Sequence, residues 1–312
     1  MSGITILDDA AARPEDSDGV YRAGGTDLQE RLRTRGETPH IWDLTGIPGF
    51  ADITREADRT VIGAGTTAAT VATELGEDYP ALAQTAAGLA TPQVRATATI
   101  GGNLLQRTRC WYYRHPHTRC LKDGGDRCPA RNGRHLYGVA FDTSACVHPH
   151  PSSLAMALLT YDASVVITGR DPIGVGELLG DGTDPTRDHA LGEQEVVTQV
   201  LLPPPAAGER AAYTRAISRF EAEWPLVEAV CRMLVNDAGT VTSCAIGVGG
   251  VAPVPLRMPA AEAMLIGSPP DEDTIAAAAR ACAQGASPLP ETAYKVELIE
   301  GCVREVLERV SA

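Results

Sequence analysis

Short apolar runs alternate with helical stretches along the first two thirds of the chain. Runs rich in β-branched residues are typical of strands, and they predict strands over 4–7, 20–23, 41–44, 60–62, 98–100, 164–168 and 195–202. Apolar residues at helical spacing predict helices over 28–35, 67–76, 82–90 and 153–161. Thr66 or Thr67, and Ser152 or Ser153, are placed to cap two of these helices, because a hydroxyl accepts from the free amides of a first turn.

The run Pro203-Pro204-Pro205 separates this part from the rest of the chain. Successive prolines stop a strand, so the run marks a boundary between two units, 1–205 and 206–312. Beyond it the sequence predicts strands near 211–218, 226–235 and 241–248, and helices over 259–266, 273–284 and 294–310. Strands and helices are mixed without a regular βαβ repeat, which predicts an α+β fold.

The charge balance and the apolar runs exclude some classes of partner. A net charge of −13 over 312 residues disfavours a nucleic-acid binder and an anionic membrane surface. The longest near-apolar stretch, 154–167, is interrupted by Tyr161 and Asp162 and is too short to span a bilayer. Residues 1–11 have neither the basic nor the apolar region of a signal peptide, so we expect a cytoplasmic protein without membrane insertion.

The segment 107–150 differs from the rest of the acidic chain. It carries eight basic residues against three acidic ones, Asp123, Asp126 and Asp142; the basic residues are Arg107, Arg109, Arg114, Arg119, Lys122, Arg127, Arg131 and Arg134. A positive segment indicates a negative group beside it, although a solvated surface loop is the alternative.

Four of the eight cysteines fall within this segment. Cys110, Cys120, Cys128 and Cys146 have the spacing C-x9-C-x7-C-x17-C, whereas Cys231, Cys244, Cys282 and Cys302 lie in patterned apolar segments that are typical of a core. Disulfides need an oxidising compartment, and structural zinc usually shows closely paired cysteines. An iron–sulfur cluster tolerates wide spacing because the loop wraps a large inorganic core. The spacing therefore favours a cluster over zinc, with zinc as the open alternative.

Two glycine pairs follow predicted strands and precede small polar residues. Ala23-Gly24-Gly25-Thr26-Asp27 and Thr99-Ile100-Gly101-Gly102-Asn103 share this design. Residues without Cβ let backbone amides approach a ligand, and successive amides in such turns bind phosphate groups. Either turn alone is more often structural than functional. Together, the two could converge on one dinucleotide.

These motifs resemble a known family. AGGTDL (23–28), IGAGTT (62–67), TPQVRATATIGGNLLQRTRC (91–110), ALLTYDASVVITG (157–169), VGGVAPVPLRMPAAEAMLIG (248–267) and AYKVELIEGCVREVL (293–307) are similar to the FAD-binding (medium) subunit of molybdenum hydroxylases, the xanthine dehydrogenase, aldehyde oxidoreductase and carbon monoxide dehydrogenase group. Within that group the chain resembles the type that also carries a [4Fe-4S] cluster.

The resemblance implies a fold and a set of sites. It implies an FAD-binding domain of the vanillyl-alcohol-oxidase (PCMH) type in two subdomains over 1–205, with a cluster loop at 107–150, and a carbon-monoxide-dehydrogenase flavoprotein-like domain over 206–312. Cys110, Cys120, Cys128 and Cys146 match the cluster ligands. The implied FAD contacts are Ala23, Gly24, Gly25, Thr26, Asp27, Leu28, Ala90, Ala98, Thr99, Gly101, Gly102, Asn103, Gln106, Ser152 and Arg215.

Three departures from the family pattern affect these expectations. Ser152-Ser153 stands where relatives have a carboxylate near FAD, and Arg215-Ala216-Ile217 stands where many have Lys-Val-Arg. The cysteine segment also adds aromatic residues and histidines, namely Trp111, Tyr112, Tyr113, His115, His117 and His148.

The resemblance implies an electron-transfer flavoprotein subunit. Electrons from an aldehyde or N-heterocycle would reach its FAD through a molybdopterin-binding large subunit and a [2Fe-2S] small subunit, because this chain resembles neither of them. The alternative is a stand-alone FAD and iron–sulfur oxidoreductase acting on a small-molecule substrate, with Tyr112, Tyr113, His115 and His150 as candidate acid/base groups. A third hypothesis is a non-enzymatic, zinc-stabilised binding module.

Overall fold

The fold contains three β-sheets with helices packed on them, as seen in a computed structural model that describes residues 3–14, 17–220 and 222–312. The sheets follow one another along the chain, and helices are mixed among the strands. The prediction of an α+β fold is therefore confirmed. No helix among the described residues has the length and apolar character needed to cross a bilayer.

The first sheet is small and parallel. Its strands lie in the order β1-β3-β2, with the helix α1 between the second and third strands along the chain; the bounds are β1 Ile4–Ile6, β2 Val20–Arg22, α1 Leu28–Arg35 and β3 Ile41–Asp43. The predicted helix over 28–35 is confirmed to the residue. It buries Leu28 and Leu32 and ends at Gly36, whose left-handed φ of 67° suits a residue without Cβ.

The second sheet is antiparallel, in the order β4-β5-β8-β6-β7, and it forms the main core with the helices before and after it. Fully buried Ile62, Leu82, Leu104, Leu154 and Val200 come from five of these elements. The elements are β4 Ile53–Arg55, β5 Thr60–Gly63, α2 Ala68–Glu74, α3 Pro80–Ala87, α4 Pro92–Arg95, α5 Ile100–Leu104, α7 Ser153–Thr160, β6 Ser164–Ile167, β7 Ile173–Gly174, α8 Val175–Leu179 and β8 Val197–Leu202.

The cysteine segment forms a small unit with a core of its own. It contains one turn of α-helix, α6 Trp111–Arg114, and the 3₁₀ turns Leu121–Asp123 and Pro129–Asn132. Its core consists of Cys110, Tyr113, Cys120, Ala130, Val139 and Val147.

The third sheet is antiparallel, in the order β12-β11-β10-β9, and two helices cover one of its faces. Cys231, Cys244, Cys282 and Cys302 lie in its core, as predicted. The elements are β9 Arg210–Ala216, β10 Val227–Val235, β11 Val241–Gly249, β12 Leu256–Arg257, α9 Pro259–Leu265, α10 Glu272–Ala283 and α11 Tyr294–Ser311.

The predicted strand over 98–100 is wrong. Thr99 is instead the N-cap of α5, and its hydroxyl accepts from the amide of Gly102 at 3.1 Å. Only one bridge, between Thr67 and Thr99, remains of strand pairing here. The capping potential of Thr99 thus outweighs the short β-branched run, because a hydroxyl that satisfies a first-turn amide favours the start of a helix.

Candidate functional site

The first glycine pair forms a tight turn between β2 and α1. A Cβ on Gly24 would stand 1.9 Å from the carbonyl oxygen of Thr97, so no side chain fits there. Gly25 has a φ of 71°, which L-residues rarely adopt. In the first turn of α1 the amide of Gln29 already donates to the carbonyl of Gly25 at 2.9 Å, and the amides before it precede the hydrogen bonds of the helix. A turn of this kind can present donors to an anion.

The second glycine pair has a different role in the structure. The amides of Ile100 and Gly101 donate to the carbonyls of Thr66 and Ala64, each at 2.9 Å, and the amide of Gly102 donates to the Thr99 hydroxyl. These three donors are already paired. Thr99, Gly101 and Gly102 consequently form a wall of the site and do not add a second set of free amides.

A cavity of about 800 Å³ lies between the two glycine pairs. This volume falls within the usual range for cofactor pockets. Ten of the predicted FAD contacts line it: Ala23, Gly24, Gly25, Thr26, Asp27, Leu28, Thr99, Gly101, Gly102 and Gln106. Residues 186–189 and 191–197 also line it, as do Arg13, Arg22 and Arg31, and the sequence did not single these out as site residues.

Arg31 is the cavity residue that sequence reasoning missed and that best suits a phosphate. It lies on α1, one turn after Asp27, and lines the cavity. Its Nε is buried without a hydrogen-bond partner in the part of the chain that the structure describes. A buried guanidinium nitrogen without a partner is costly unless a ligand satisfies it, so the site fits an anionic group. The sequence offered one signal for Arg31, because a residue one helical turn after Asp27 lies close to the glycine turn.

Five other predicted FAD contacts do not line the cavity. Asn103 and Ser152 bond each other, since the Ser152 hydroxyl donates to Asn103 Oδ1 at 2.7 Å and also caps α7. Ala98 accepts from the amide of Ala68, and Ala90 has a φ of 40°. Arg215 lies on β9. Among the residues described, these five lie outside the lining of the cavity.

A carboxyl group does lie beside Ser153, although it comes from another element. Glu228 on β10 is buried and accepts from the Tyr213 hydroxyl at 2.8 Å. Burial raises the pKa of Glu228. The hydroxyls of Ser153 and Tyr213 and the charge of Arg215 lower it by a smaller amount. Glu228 thus places a carboxyl group beside Ser153, but it does not line the cavity.

The four cysteines of the segment line one small buried pocket, together with Thr108, Tyr112, Tyr113 and Lys122. Cys110, Cys120 and Cys146 are less than a tenth exposed, and Cys128 is half-buried. No group of three His, Cys, Asp or Glu side chains within the described ranges converges closely enough to hold a single metal ion. The thiols therefore share a pocket without forming a ready one-ion site.

Backbone amides point at each of these sulfurs. Burial raises the pKa of Cys110 to about 11, against hydrogen bonds from the amides of Tyr113 and Tyr112. Burial likewise raises the pKa of Cys120, against the amide of Lys122. A hydrogen bond with Cys146 lowers the pKa of Cys128 to about 5, helped by amides that include those of Arg131 and Ala130, and the same contact raises the pKa of Cys146. Amides two residues after each cysteine thus stabilise thiolates.

Ion pairs join the cysteine unit to the cavity wall. Asp188 pairs with Arg107 at 2.6 Å and with Lys122 at 2.9 Å. Burial raises the pKa of Asp188, but Lys122 and Arg107 outweigh it and hold the pKa well below its usual value. Asp27 pairs with Arg114 at 2.6 Å and with Arg109 at 3.1 Å. Many of the segment's cations are therefore matched to carboxylates elsewhere in the chain.

The four candidate acid/base groups are not brought together. None of them lines the large cavity within the described chain. Tyr112 accepts from the amide of Arg134, and Tyr113 is buried with the guanidiniums of Arg35 and Arg107 within 4.9 and 5.3 Å of its ring centre. His115 is exposed, whereas burial lowers the pKa of His150 to about 4.

Two family models match the chain in succession. The FAD binding domain in molybdopterin dehydrogenase matches residues 6–205, and the CO dehydrogenase flavoprotein C-terminal domain matches residues 212–310. The chain belongs to the FAD-binding family of molybdopterin dehydrogenases. It is an FAD-dependent oxidoreductase subunit, and the resemblance that the sequence motifs suggested is confirmed at this level.

Two relatives and one solved structure illustrate the similarity. The aldehyde oxidoreductase FAD-binding subunit PaoB of Escherichia coli (strain K12) is 31% identical over 303 residues, which cover 94% of this chain and 91% of that protein. The carbon monoxide dehydrogenase medium chain of Hydrogenophaga pseudoflava is 27% identical over 271 residues, covering 85% and 78%. The Cu,Mo-CO dehydrogenase, solved in a cyanide-inactivated form, matches with a TM-score of 0.76 at 20% identity, over 99% of this chain and 96% of that one.

The fold of this FAD-binding subunit is thus the predicted one. The predicted types of domain, a PCMH-type FAD-binding domain and a flavoprotein C-terminal domain, are confirmed. The exact boundary at residue 205 and the role of each site residue stay predictions. For FAD, the cavity provides a turn without side chains, a helix N-terminus and the unpaired Arg31, so the residues present fit a dinucleotide.

Proposed function

We propose that the chain is the FAD- and [4Fe-4S]-carrying electron-transfer subunit of a molybdenum-hydroxylase-type complex. The observation that carries this proposal is the cavity of about 800 Å³ at the Gly24-Gly25 turn, with the four-thiol pocket tied to its wall by ion pairs. Family membership supports the flavin half of the proposal. The cysteine geometry supports the iron–sulfur half.

In the flavin half, the backbone of residues 24–27 and the Arg31 guanidinium hold the diphosphate of FAD. Bound FAD accepts two electrons and returns them singly or as a pair. The chain contributes binding and orientation, and the aliphatic side chains of Leu44 and Leu105 give the cavity apolar surface. Residues 186–189 and 191–197 complete the lining of the cavity.

In the iron–sulfur half, Cys110, Cys120, Cys128 and Cys146 are the proposed ligands of a [4Fe-4S] cluster. Amide donors two residues after each cysteine stabilise the anionic sulfurs that a cluster requires. Lys122 and Arg131 lie near the thiols and offset part of the negative charge of a four-thiolate cluster. The structural support for a cluster is that the four thiols share one pocket.

The proposed partners are a molybdopterin-binding large subunit and a [2Fe-2S] small subunit. The relatives are named as a subunit and a medium chain, which supports a place in a complex. The substrate, an aldehyde or an N-heterocycle, would then be oxidised on a partner. The stand-alone alternative has no added support, because Tyr112, Tyr113, His115 and His150 do not line the cavity. A cytoplasmic location remains part of the proposal.

An affinity-tagged copy of the full chain, purified without oxygen from the native host, tests the proposal. We expect two further chains to co-purify, one with molybdenum and one with a [2Fe-2S] spectrum. The isolated chain should then bind one FAD and show no flavin reduction by aldehydes unless both partners are present. Flavin reduction by a small organic substrate in the isolated chain would favour the stand-alone reading instead.

A further inference from the structure

Asp27 follows the glycine turn, but its side chain bonds to the cysteine segment. Its Oδ1 accepts from Arg114 at 2.6 Å, and its Oδ2 accepts from the backbone amide of Arg107 at 3.0 Å. Arg109 lies 3.1 Å from the same carboxylate. Only 15% of the Asp27 side chain is exposed, so the cysteine segment occupies the carboxylate.

The contact continues along the first turn of α1. Glu30 accepts from Arg114 at 2.7 Å and from Arg109 at 3.3 Å. At the end of the helix, Arg35 donates to Asp123 at 2.7 Å and to the carbonyl of Tyr113. Both ends of α1 are therefore held by residues of the segment 107–150.

The position of Arg114 in turn depends on the first cysteine. Arg114 ends the single turn of α6, whose N-cap is Cys110, and the carbonyl of Cys110 accepts the amide of Arg114 at 2.9 Å. The amides of Tyr112 and Tyr113 in that turn hydrogen-bond the Cys110 sulfur. One helical turn thus connects the sulfur of Cys110 to the guanidinium that holds Asp27.

We infer that Asp27 is a positioning residue that links the two cofactor sites, so that filling the four-thiol site tightens FAD binding and bound FAD stabilises the metal. This inference rests on the proposed function. A cluster that fixes the position of Cys110 also fixes α6, and through α6 it fixes Arg114 and the glycine turn. Thermodynamic linkage then requires that FAD binding strengthens cluster binding by the same factor. The arginines also neutralise a carboxylate that would otherwise repel the diphosphate.

The direction in which Asp27→Asn changes FAD affinity distinguishes between the possible roles of Asp27. Asp27→Asn removes a negative charge beside an anion site, so electrostatics alone predicts tighter FAD binding. The linkage predicts weaker binding, because Arg114 loses its ion pair with Asp27 and keeps only Glu30 as a charged partner on α1. A direct contact with FAD predicts weaker binding that is the same whether the four-thiol site is filled or empty.

The experiment measures the FAD dissociation constant of the full chain by flavin fluorescence under anaerobic conditions. The chain is loaded with ferrous iron and sulfide, or kept empty by Cys128→Ser. We expect the loaded chain to bind FAD about tenfold more tightly than the empty one, which is a typical size for coupled sites. Asp27→Asn should abolish that difference, and adding Arg114→Gln to it should change nothing further. Iron retention after a chelator challenge should improve with FAD in the original chain and not in Asp27→Asn.

Matched variants exclude a general loss of structure. Arg134→Gln removes another guanidinium of the same segment, paired with Glu291, and should preserve the tenfold difference. Arg114→Lys keeps the positive charge but cannot bond Asp27 and Glu30 at the same time with a planar guanidinium. It should therefore lose part of the tenfold difference in FAD affinity, and this result holds even if Arg114→Gln folds poorly. Equal effects of Asp27→Asn in loaded and empty chains, or tighter binding in both, would overturn the inference. Independent binding of FAD and iron by the original chain overturns this inference alone, whereas a chain that binds no FAD overturns the proposed function as well.

Discussion

Gly24 lies directly against the carbonyl of Thr97, and a Cβ at Gly24 would stand 1.9 Å from that oxygen. The turn that begins the cavity is thereby fixed against the segment leading into α5. Both glycine pairs line the same cavity.

Gly24→Ala should therefore disrupt the cavity. The clash is with backbone, which cannot move aside like a flexible side chain, so we expect FAD affinity to fall at least tenfold, about 1.4 kcal/mol. A fluorescence titration with FAD measures this. Gly76→Ala, at a position with no atom near the new Cβ, is the control and should bind FAD normally. Equal affinities for the two variants would contradict the cavity assignment.

Arg31→Ala tests the unpaired guanidinium. Its buried Nε has no protein partner within the described residues, and a charge-assisted bond to phosphate contributes roughly 1.5–3 kcal/mol. We expect FAD to bind about ten- to a hundredfold more weakly, with little change in the free energy of unfolding without FAD. Arg33→Ala removes an exposed guanidinium from the same helix and should leave FAD affinity unchanged. A loss of affinity of the same size in both variants would show that Arg31 has no special contact.

The cysteine assignment predicts a clear division between the two sets of thiols. Cys128→Ser should remove most of the iron, because a serine hydroxyl does not supply the thiolate that a cluster needs. Cys282→Ser alters a buried core thiol and should keep full iron content at some cost in stability. Iron and acid-labile sulfide measured per chain decide this. Iron loss from both variants alike would count against the ligand assignment.

Stability should fall in mild acid partly because of His150. Burial lowers its folded-state pKa to about 4, below an unfolded value of about 6.5, so its contribution is present above pH 6.5 and lost as the pH falls toward 4. That difference corresponds to roughly 3 kcal/mol. Urea unfolding at pH 7 and pH 5 measures the loss for the original chain and for His150→Asn, which keeps an acceptor for the amide of Ser152. We expect a smaller acid loss in the variant, and an equal loss would exclude His150 as a source.

Glu228→Gln should leave the fold intact and should make the protein more stable than the original chain at higher pH. Burial raises the pKa of Glu228, so its stabilising contribution belongs to the protonated form and is lost as the pH rises through the folded-state pKa. Glutamine keeps the shape and an acceptor for Tyr213 without the charge. The melting temperature, measured from about pH 4.5 upward, should decline less in the variant than in the original chain. A steeper decline would contradict this account of the buried carboxyl.

Elements that depend on neighbouring residues in the chain could be predicted from the sequence. The helix over 28–35 and the cap at Ser152 follow from apolar spacing and a side-chain hydroxyl, and both are confirmed. The strand over 98–100 was wrong because Thr99 caps a helix that the short apolar run does not reveal. Proximity in the chain also indicated that the four cysteines would share a site.

Other features depend on contacts between distant residues and left no local pattern. Residues 186–197 line the cavity only because the chain returns to it before β8. The pairing of Asp27 with Arg114 joins residues that are 87 positions apart. The buried carboxyl near Ser153 comes from β10, where a strand pattern gives no reason to expect a charge.

The central claim is that one chain holds both a flavin and an iron–sulfur cluster. The most direct test is the content of iron, acid-labile sulfide and FAD in the full chain purified and reconstituted without oxygen, with the electron paramagnetic resonance spectrum after dithionite reduction. The account predicts four irons, four sulfides and one FAD per chain, with the signal of a reduced [4Fe-4S] cluster that is absent in Cys128→Ser. One zinc per chain with no iron, or iron that persists in Cys128→Ser, would contradict it.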